Sequence, residues 1–231
     1  MFRRLVDIVL SLSALVLLSP LFVIAAVGIL VSSPGPILYR ARRLGLKQKV
    51  FTMYKFRTMH VDQLSFSSSI TAKNDPRIFA FGSMLRRLKI DELPQLFNIL
   101  RGDMAIIGPR PEDLHIVENY YASYHYETFD VLPGLASPGS LYYYTHCEQV
   151  LKEKNAERHY VECLLPTKLA LDVVYVREAS FIYDLRIILR AGWAILSMAI
   201  GKHRFRNPPE IKKAAQLGLI PQALNRTIQT R

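Results

Sequence analysis

The sequence predicts a mostly helical α/β protein with a short β-hairpin, held to a membrane by its N-terminal segment. Three observations carry this. A long apolar run occupies residues 5–31. Residues 37–39 and 50–56 read as short strands on either side of the basic stretch RARRLGLKQK. Further on, apolar residues recur at helical spacing, as in Leu93, Leu96, Phe97 and Leu100.

The 231 residues make one domain, or one domain with an appendage. Half are apolar and only 21% are charged, which excludes disorder along the whole chain. Thirty Lys and Arg against nineteen Asp and Glu give a net charge of +11. A basic excess beside high apolarity suits a membrane surface or phosphate-rich ligands, with nucleic acid as a third option. Two cysteines, Cys147 and Cys163, are too few for a disulfide framework, so a reducing compartment is the simpler reading.

The apolar run is 27 residues long. At about 1.5 Å per residue it could cross a hydrocarbon core of about 30 Å. No small-residue cleavage site ends it, which argues against a signal peptide. Ser19-Pro20 lies at its middle, where proline removes a backbone donor and the serine hydroxyl can serve the freed carbonyl. Basic residues flank both ends: Arg3 and Arg4 before, Arg40, Arg42, Arg43, Lys47 and Lys49 after. The positive-inside rule keeps both flanks in the cytoplasm. A kinked span and a re-entrant hairpin both remain open on this evidence. Asp7 sits at the interface or pairs with an arginine.

Residues 32–36 form a turn and residues 62–76 a polar loop. A helix follows over 81–90, and another over 90–102. In the second, Asp91 takes the N-cap position, Pro94 the first turn and Gly102 the C-terminal cap. Residues 104–107 lead to the rigid loop Gly108-Pro109-Arg110-Pro111. Residues 112–130 read as a tyrosine-rich helix and 132–139 as a loop. Helices are expected over 166–177 and 180–200. The second carries Arg186, Arg190 and Trp193, and suits either a membrane surface or a core rim. The division is 1–36 for the membrane segment, 37–206 for the main domain and 207–231 for a loosely attached tail.

No HExxH, CxxC, GxGxxG, Walker or GxSxG motif occurs, which disfavours structural zinc, dinucleotide, P-loop and hydrolase sites. Asp91-Glu92 at a helix start is the candidate centre. Adjacent carboxylates where phosphate is favoured invite a bridging divalent cation, and a carboxylate can attack phosphorus. The plainer reading is a cap with a first-turn glutamate. The surroundings are basic: Lys55 and Arg57 in YKFRTM, Arg77, Arg86 and Arg87, and Arg110 between two prolines. Taken singly these are solvated charges or ion pairs, and together they make a pyrophosphate cradle.

These residues carry a resemblance. LSPLFVIAAVGILVSSPGPILYRARRLG, FTMYKFRTM, NDPRIFAFGSMLRRLKIDELPQLFNILRGDMAIIGPRPE, VLPG and KLALDVVYVREASFIYDLRIIL stand in the order seen in bacterial sugar transferases. The chain most resembles the small monotopic phosphoglycosyl transferases. The resemblance implies a re-entrant helix broken at Ser19-Pro20, joined to a small α/β unit with surface-lying amphipathic helices on the cytoplasmic face of the bacterial plasma membrane. It implies transfer of phospho-sugar from a nucleoside-diphosphate sugar, usually a UDP-sugar, to polyprenyl (undecaprenyl) phosphate, with release of UMP. It also implies Mg²⁺, a covalent phospho-sugar intermediate on Asp91, a metal or proton-transfer role for Glu92, and phosphate contacts from Arg110 and Arg86. The bilayer is an implied partner and nucleic acid is not; the oligomeric state, a homo-oligomer included, stays open. The pattern breaks after Gly134, where LASPGSLYYYTHCEQ replaces the family's Gln-Val-x-Gly-Arg loop and Leu132 its usual arginine. The sugar is therefore left unnamed. A non-catalytic scaffold of the same fold and a nucleic-acid binder are the rival readings.

Overall fold

The computed structural model describes residues 2–61, 75–147, 156–201 and 205–220. Most of the polar loop over 62–76 and the last stretch of the tail lie outside the described residues.

Helices α1 (Phe2–Leu17) and α2 (Ser19–Ser32) are bent by 61° at their junction. The bend follows from Pro20, which has no N–H to give the Val16 carbonyl. The Ser19 hydroxyl donates to that carbonyl instead, at 2.8 Å, as the sequence suggests. Among the described residues no single helix is long and apolar enough to cross a membrane; the bent pair meets that test only together. Helix α1 is bound to the rest of the chain. Arg4 donates to the carbonyls of Ile99 and, at 2.9 Å, Leu100. Asp7 accepts the Ile106 N–H at 3.2 Å, and Arg3 lies 3.1 Å from Asp184.

Strands β1 (Leu38–Leu44) and β2 (Val50–Phe56) pair antiparallel from Leu38 opposite Phe56 to Leu44 opposite Val50. The first strand is longer than residues 37–39. Arg40 and Arg42 point out, Arg43 pairs with Asp113, and Ala41 and its partner Met53 point into the core. Helix α3 (Ala80–Arg87) precedes the motif segment, which does not form one helix over 90–102. Instead a 3-10 turn at Ile90–Glu92 leads to α4 (Gln95–Arg101). The cause is Pro94: it cannot donate to Ile90, whose carbonyl takes the Leu93 N–H at 3.1 Å. Asp91 is therefore not an N-cap. Gly102 does close α4, in the left-handed conformation at φ 91°. Buried Asn98 fastens α4 to β2, accepting the Tyr54 N–H at 3.0 Å and donating to the Thr52 carbonyl at 2.7 Å.

Strand β3 (Ala105–Ile107) pairs in parallel with β4 (Gly134–Ala136), so the expected 132–139 loop is in part a strand. Their ends cross closely. A Cβ on Gly134 would lie 2.1 Å from the Gly108 nitrogen, so neither glycine can carry a side chain. Between them α5 (Leu114–Tyr120) stops at Tyr121, and a 3-10 segment spans Ser123–Phe129. The break comes from His125, whose Nδ1 accepts the Ala122 N–H at 2.9 Å. Short α6 (Pro138–Tyr142) passes into a wide π turn over Tyr143–Cys147.

One-turn α7 (Ala156–His159) continues through Tyr160–Leu164 into α8 (Leu165–Glu178), the central pillar. Leu169, Ala170, Leu171, Val173 and Val174 of α8 are buried. Helix α9 (Phe181–Ala199) turns Ile187 and Ala194 inward and leaves Ile182, Leu189, Trp193 and Leu196 exposed. Its Arg190 reaches Glu210 at 2.6 Å. The tail, expected to be loosely attached, is folded as far as Ile220. Helix α10 (Glu210–Gln216) and residues 219–220 set Ile211, Ala214, Leu219 and Ile220 against Ala170, Val173 and Val174. The apolar spacing and the pairing of buried Glu210 with half-buried Arg190 hold it there.

Candidate active site

The 3-10 turn places Asp91 and Glu92 between the end of β2, the end of α3 and the loop after β3. Lys89, just upstream, has the left-handed conformation at φ 57°. Such strain in a non-glycine residue concentrates at functional positions. Asp91 is buried, and its Oδ1 has no hydrogen-bond partner. Burial and the neighbouring Glu92 charge raise its pKa, while Lys55, Arg86 and Lys89 oppose the rise. Glu92 is held below the usual carboxylate range: burial pushes it up, but the charges of Arg110, Lys55 and Lys89 win. Two neighbouring carboxylates thus have opposite tendencies, one towards the acid and one towards the anion.

Glu92 Oε1 collects three donors: Arg110 Nη2, the Tyr144 hydroxyl at 3.2 Å and Lys55 Nζ at 3.5 Å. Burial lowers the Lys55 pKa to about 8 in spite of Glu92. Arg110 is fixed from behind. Its loop is tied down by the Gly108 N–H to Ala136 carbonyl bond at 3.0 Å and the Gly134 N–H to Pro109 carbonyl bond at 2.9 Å. Buried Asp172 of α8 accepts the backbone N–H of Gly139 at 2.8 Å and lies close enough to the Arg110 backbone for it to lower the Asp172 pKa. Burial raises the Asp172 pKa to about 6.

The predicted site residues divide accordingly. Asp91, Glu92, Lys55 and Arg110 come together, and Arg86 is near enough for its charge to act on Asp91. Arg57 does not join them. It is buried, donating to the Pro36 carbonyl at 2.5 Å, the Ser33 hydroxyl at 2.8 Å and the Ser33 carbonyl, where it clamps the turn after α2. Arg77 forks onto Asp75, Nε to Oδ1 at 2.8 Å and Nη2 to Oδ2 at 2.6 Å, and Asp75 in turn feels Arg86. Lys89, Tyr144 and Asp172 are additions that the sequence reading missed. For Asp172 a signal existed: a carboxylate within the apolar stretch KLALDVV marks a buried polar group that needs a partner. Among the described residues no group of three or more His, Cys, Asp and Glu side chains gathers to hold a metal ion.

Comparison with known proteins places this site in a family. The bacterial sugar transferase model matches residues 1–198. A UDP-glucose:undecaprenyl-phosphate glucose-1-phosphate transferase of Xanthomonas campestris is 37% identical over 201 residues, covering 84% of this chain and 38% of that protein. An exopolysaccharide production protein of Rhizobium leguminosarum is 34% identical over 207 residues, covering 87% of this chain and 96% of its own length. A UDP-glucose:undecaprenyl-phosphate glucose-1-phosphate transferase of Escherichia coli is 31% identical over 195 residues, covering 80% and 38%. The chain thus spans well under half of the Xanthomonas and Escherichia proteins and nearly all of the Rhizobium one. With the family model covering most of its length, from the bent apolar pair through α9, this chain belongs to the bacterial sugar transferases.

Proposed function

We propose that the chain transfers phospho-sugar from a nucleoside-diphosphate sugar, a UDP-sugar in the first instance, to undecaprenyl phosphate, with release of UMP. The observation that carries this is the buried, unpartnered Asp91 Oδ1 inside a ring of cations. A carboxylate stripped of water and hydrogen bonds is a competent nucleophile towards phosphorus. In the first step Asp91 Oδ1 attacks the phosphorus bearing the sugar. The bond from that phosphorus to the bridging oxygen breaks, and UMP leaves with the electron pair. In the second step a phosphate oxygen of the polyprenyl acceptor attacks the same phosphorus, the bond to Asp91 breaks and the carboxylate is restored. Arg110 and Lys55, held on Glu92, are placed to neutralise phosphate charge as it shifts to the leaving group.

Magnesium fits this site in one way. Mg²⁺ takes one or two carboxylates and fills its shell with water and substrate phosphates. Asp91, with its unpartnered oxygen, and Glu92 would supply those carboxylates. When bound, the ion would screen the diphosphate charge. The test of the whole reading is UMP release over a panel of UDP-sugars with undecaprenyl phosphate. At least one donor should give UMP in proportion to lipid product; no release from any donor overturns the proposal.

The same reading places α1 and α2 in the bilayer as a re-entrant hairpin, with the catalytic body on the cytoplasmic face of the plasma membrane. The arms are about 24 and 21 Å long, each short of a core of about 30 Å. With an angle of about 119° between them, the pair would dip roughly 11 Å from the surface. The ring of Phe2 meets that of Phe181 at 5.1 Å, so the outer end of α1 and the start of α9 lie at one level. Exposed Ile182, Leu189, Trp193 and Leu196 would then rest on the lipid. Single cysteines at positions 2 and 45, in a protein lacking Cys147 and Cys163, should label from the same side of sealed vesicles. Opposite-side labelling would make the pair a kinked span. Replacing Ser19-Pro20 by Leu-Leu should shift part of the population to that form and lower activity.

A further inference from the structure

Tyr144 enters the site from the segment after β4. It lies in the π turn after α6, a wide backbone form that recurs at functional positions. Its hydroxyl donates to Glu92 Oε1 at 3.2 Å. Its ring carries Lys89 Nζ at 3.6 Å from the centroid, with the Arg110 guanidinium 5.8 Å away. Lys89 and Glu92 bracket Asp91 in the chain, two residues before it and one after. We propose that Tyr144 is a positioning residue for phosphoryl transfer: one side chain clasps both charged neighbours of the nucleophile, Glu92 through its hydroxyl and Lys89 through its ring. This rests on the proposed transferase reading and deepens it.

The two ends of the side chain do separable work. The hydroxyl fixes the Glu92 carboxylate from a third side and so fixes the Arg110 fork paired with it, a matter of geometry during the chemical step. The ring face fixes a lysine that would otherwise sweep a wide volume. A held ammonium beside Asp91 attracts the donor diphosphate before any bond is made. Loss of the hydroxyl should therefore appear in kcat, and loss of the ring in donor binding as well. The turn after α6 would thus act on the diphosphate site itself through Tyr144.

The test compares Tyr144→Phe and Tyr144→Leu with the wild type in membranes, by UMP release with the donor identified in the panel, and by calorimetric titration with UDP. Tyr144→Phe should lower kcat about tenfold, with donor KM and UDP Kd within about twofold of wild type. Tyr144→Leu should show that loss and also raise donor KM and UDP Kd at least about fivefold. Melting temperatures are measured in parallel. If Tyr144→Leu does not fold, Lys89→Met takes its place, removing the ring's partner while leaving the ring. Wild-type kcat in Tyr144→Phe, or UDP affinity in the ring-contact variant equal to that of Tyr144→Phe, overturns the inference alone. A wild-type chain inactive with every donor overturns the transferase reading, and this inference with it.

Discussion

Asp91→Asn should abolish turnover, lowering UMP release by about three orders of magnitude or more while the protein stays folded. Asparagine matches the carboxylate in shape but is a poor nucleophile. Wild-type protein given donor without acceptor should gain the mass of one phospho-sugar in an intact-mass spectrum, and the variant should gain none. Stability should move the other way. The Asp91 carboxyl has a raised pKa because burial disfavours its charge. Its folded form therefore holds the proton more tightly than the unfolded chain does. That contribution is complete below the unfolded pKa and is lost as pH rises through the higher folded value. Asparagine removes the cost of the buried charge, so Asp91→Asn should melt no lower than wild type at neutral pH, and its margin should shrink on acidification. A fully active Asp91→Asn protein would remove the covalent step from the mechanism.

Arg110→Lys should also be damaging, though less so than Asp91→Asn, even with the charge kept. The guanidinium donates to Glu92 with Nη2, lies 3.5 Å from the Leu135 carbonyl through Nη1, and is steered by prolines on both sides. An ammonium cannot bond Glu92 and a phosphate with one planar fork. Turnover should fall roughly ten- to a hundredfold. Glu92 keeps a cationic neighbour, so the melting temperature should change little. Wild-type kinetics in Arg110→Lys would reduce this residue to a partner of Glu92 alone.

What could be read in the sequence was local. Pro20, Ser19 and Gly102 each act within one turn of themselves, and the bend, the carbonyl satisfied by Ser19 and the end of α4 were all foreseen. The cap position that the spacing gives Asp91 is wrong, because the missing N–H of Pro94 tightens the turn ahead of α4. Arg57 was read as a phosphate ligand. The turn through Ser33, Gly35 and Pro36, with Gly35 at φ 127°, leaves carbonyls that need a donor, and Arg57 supplies it. Tyr144 on Glu92 and Asp172 beneath Arg110 join residues 52 and 62 positions apart. No periodicity or motif spacing reports contacts of that range.

The two hydrogen bonds from Arg4 to the end of α4 have a mechanical meaning. Helix α4 starts three residues after Glu92, and its C-terminal carbonyls are stapled to the first turn of the apolar hairpin. Asp7 adds a second staple one turn further, on β3. The bent helix pair is thus no leash on which the rest of the chain hangs; it is one of that body's walls. A lever this short has little slack. With α1 in a bilayer, as proposed, a change of bilayer thickness, lateral pressure or detergent that tilts it would load the turn carrying Asp91 directly. A soluble fragment made by cutting the hairpin away would lose the wall against which that turn is set.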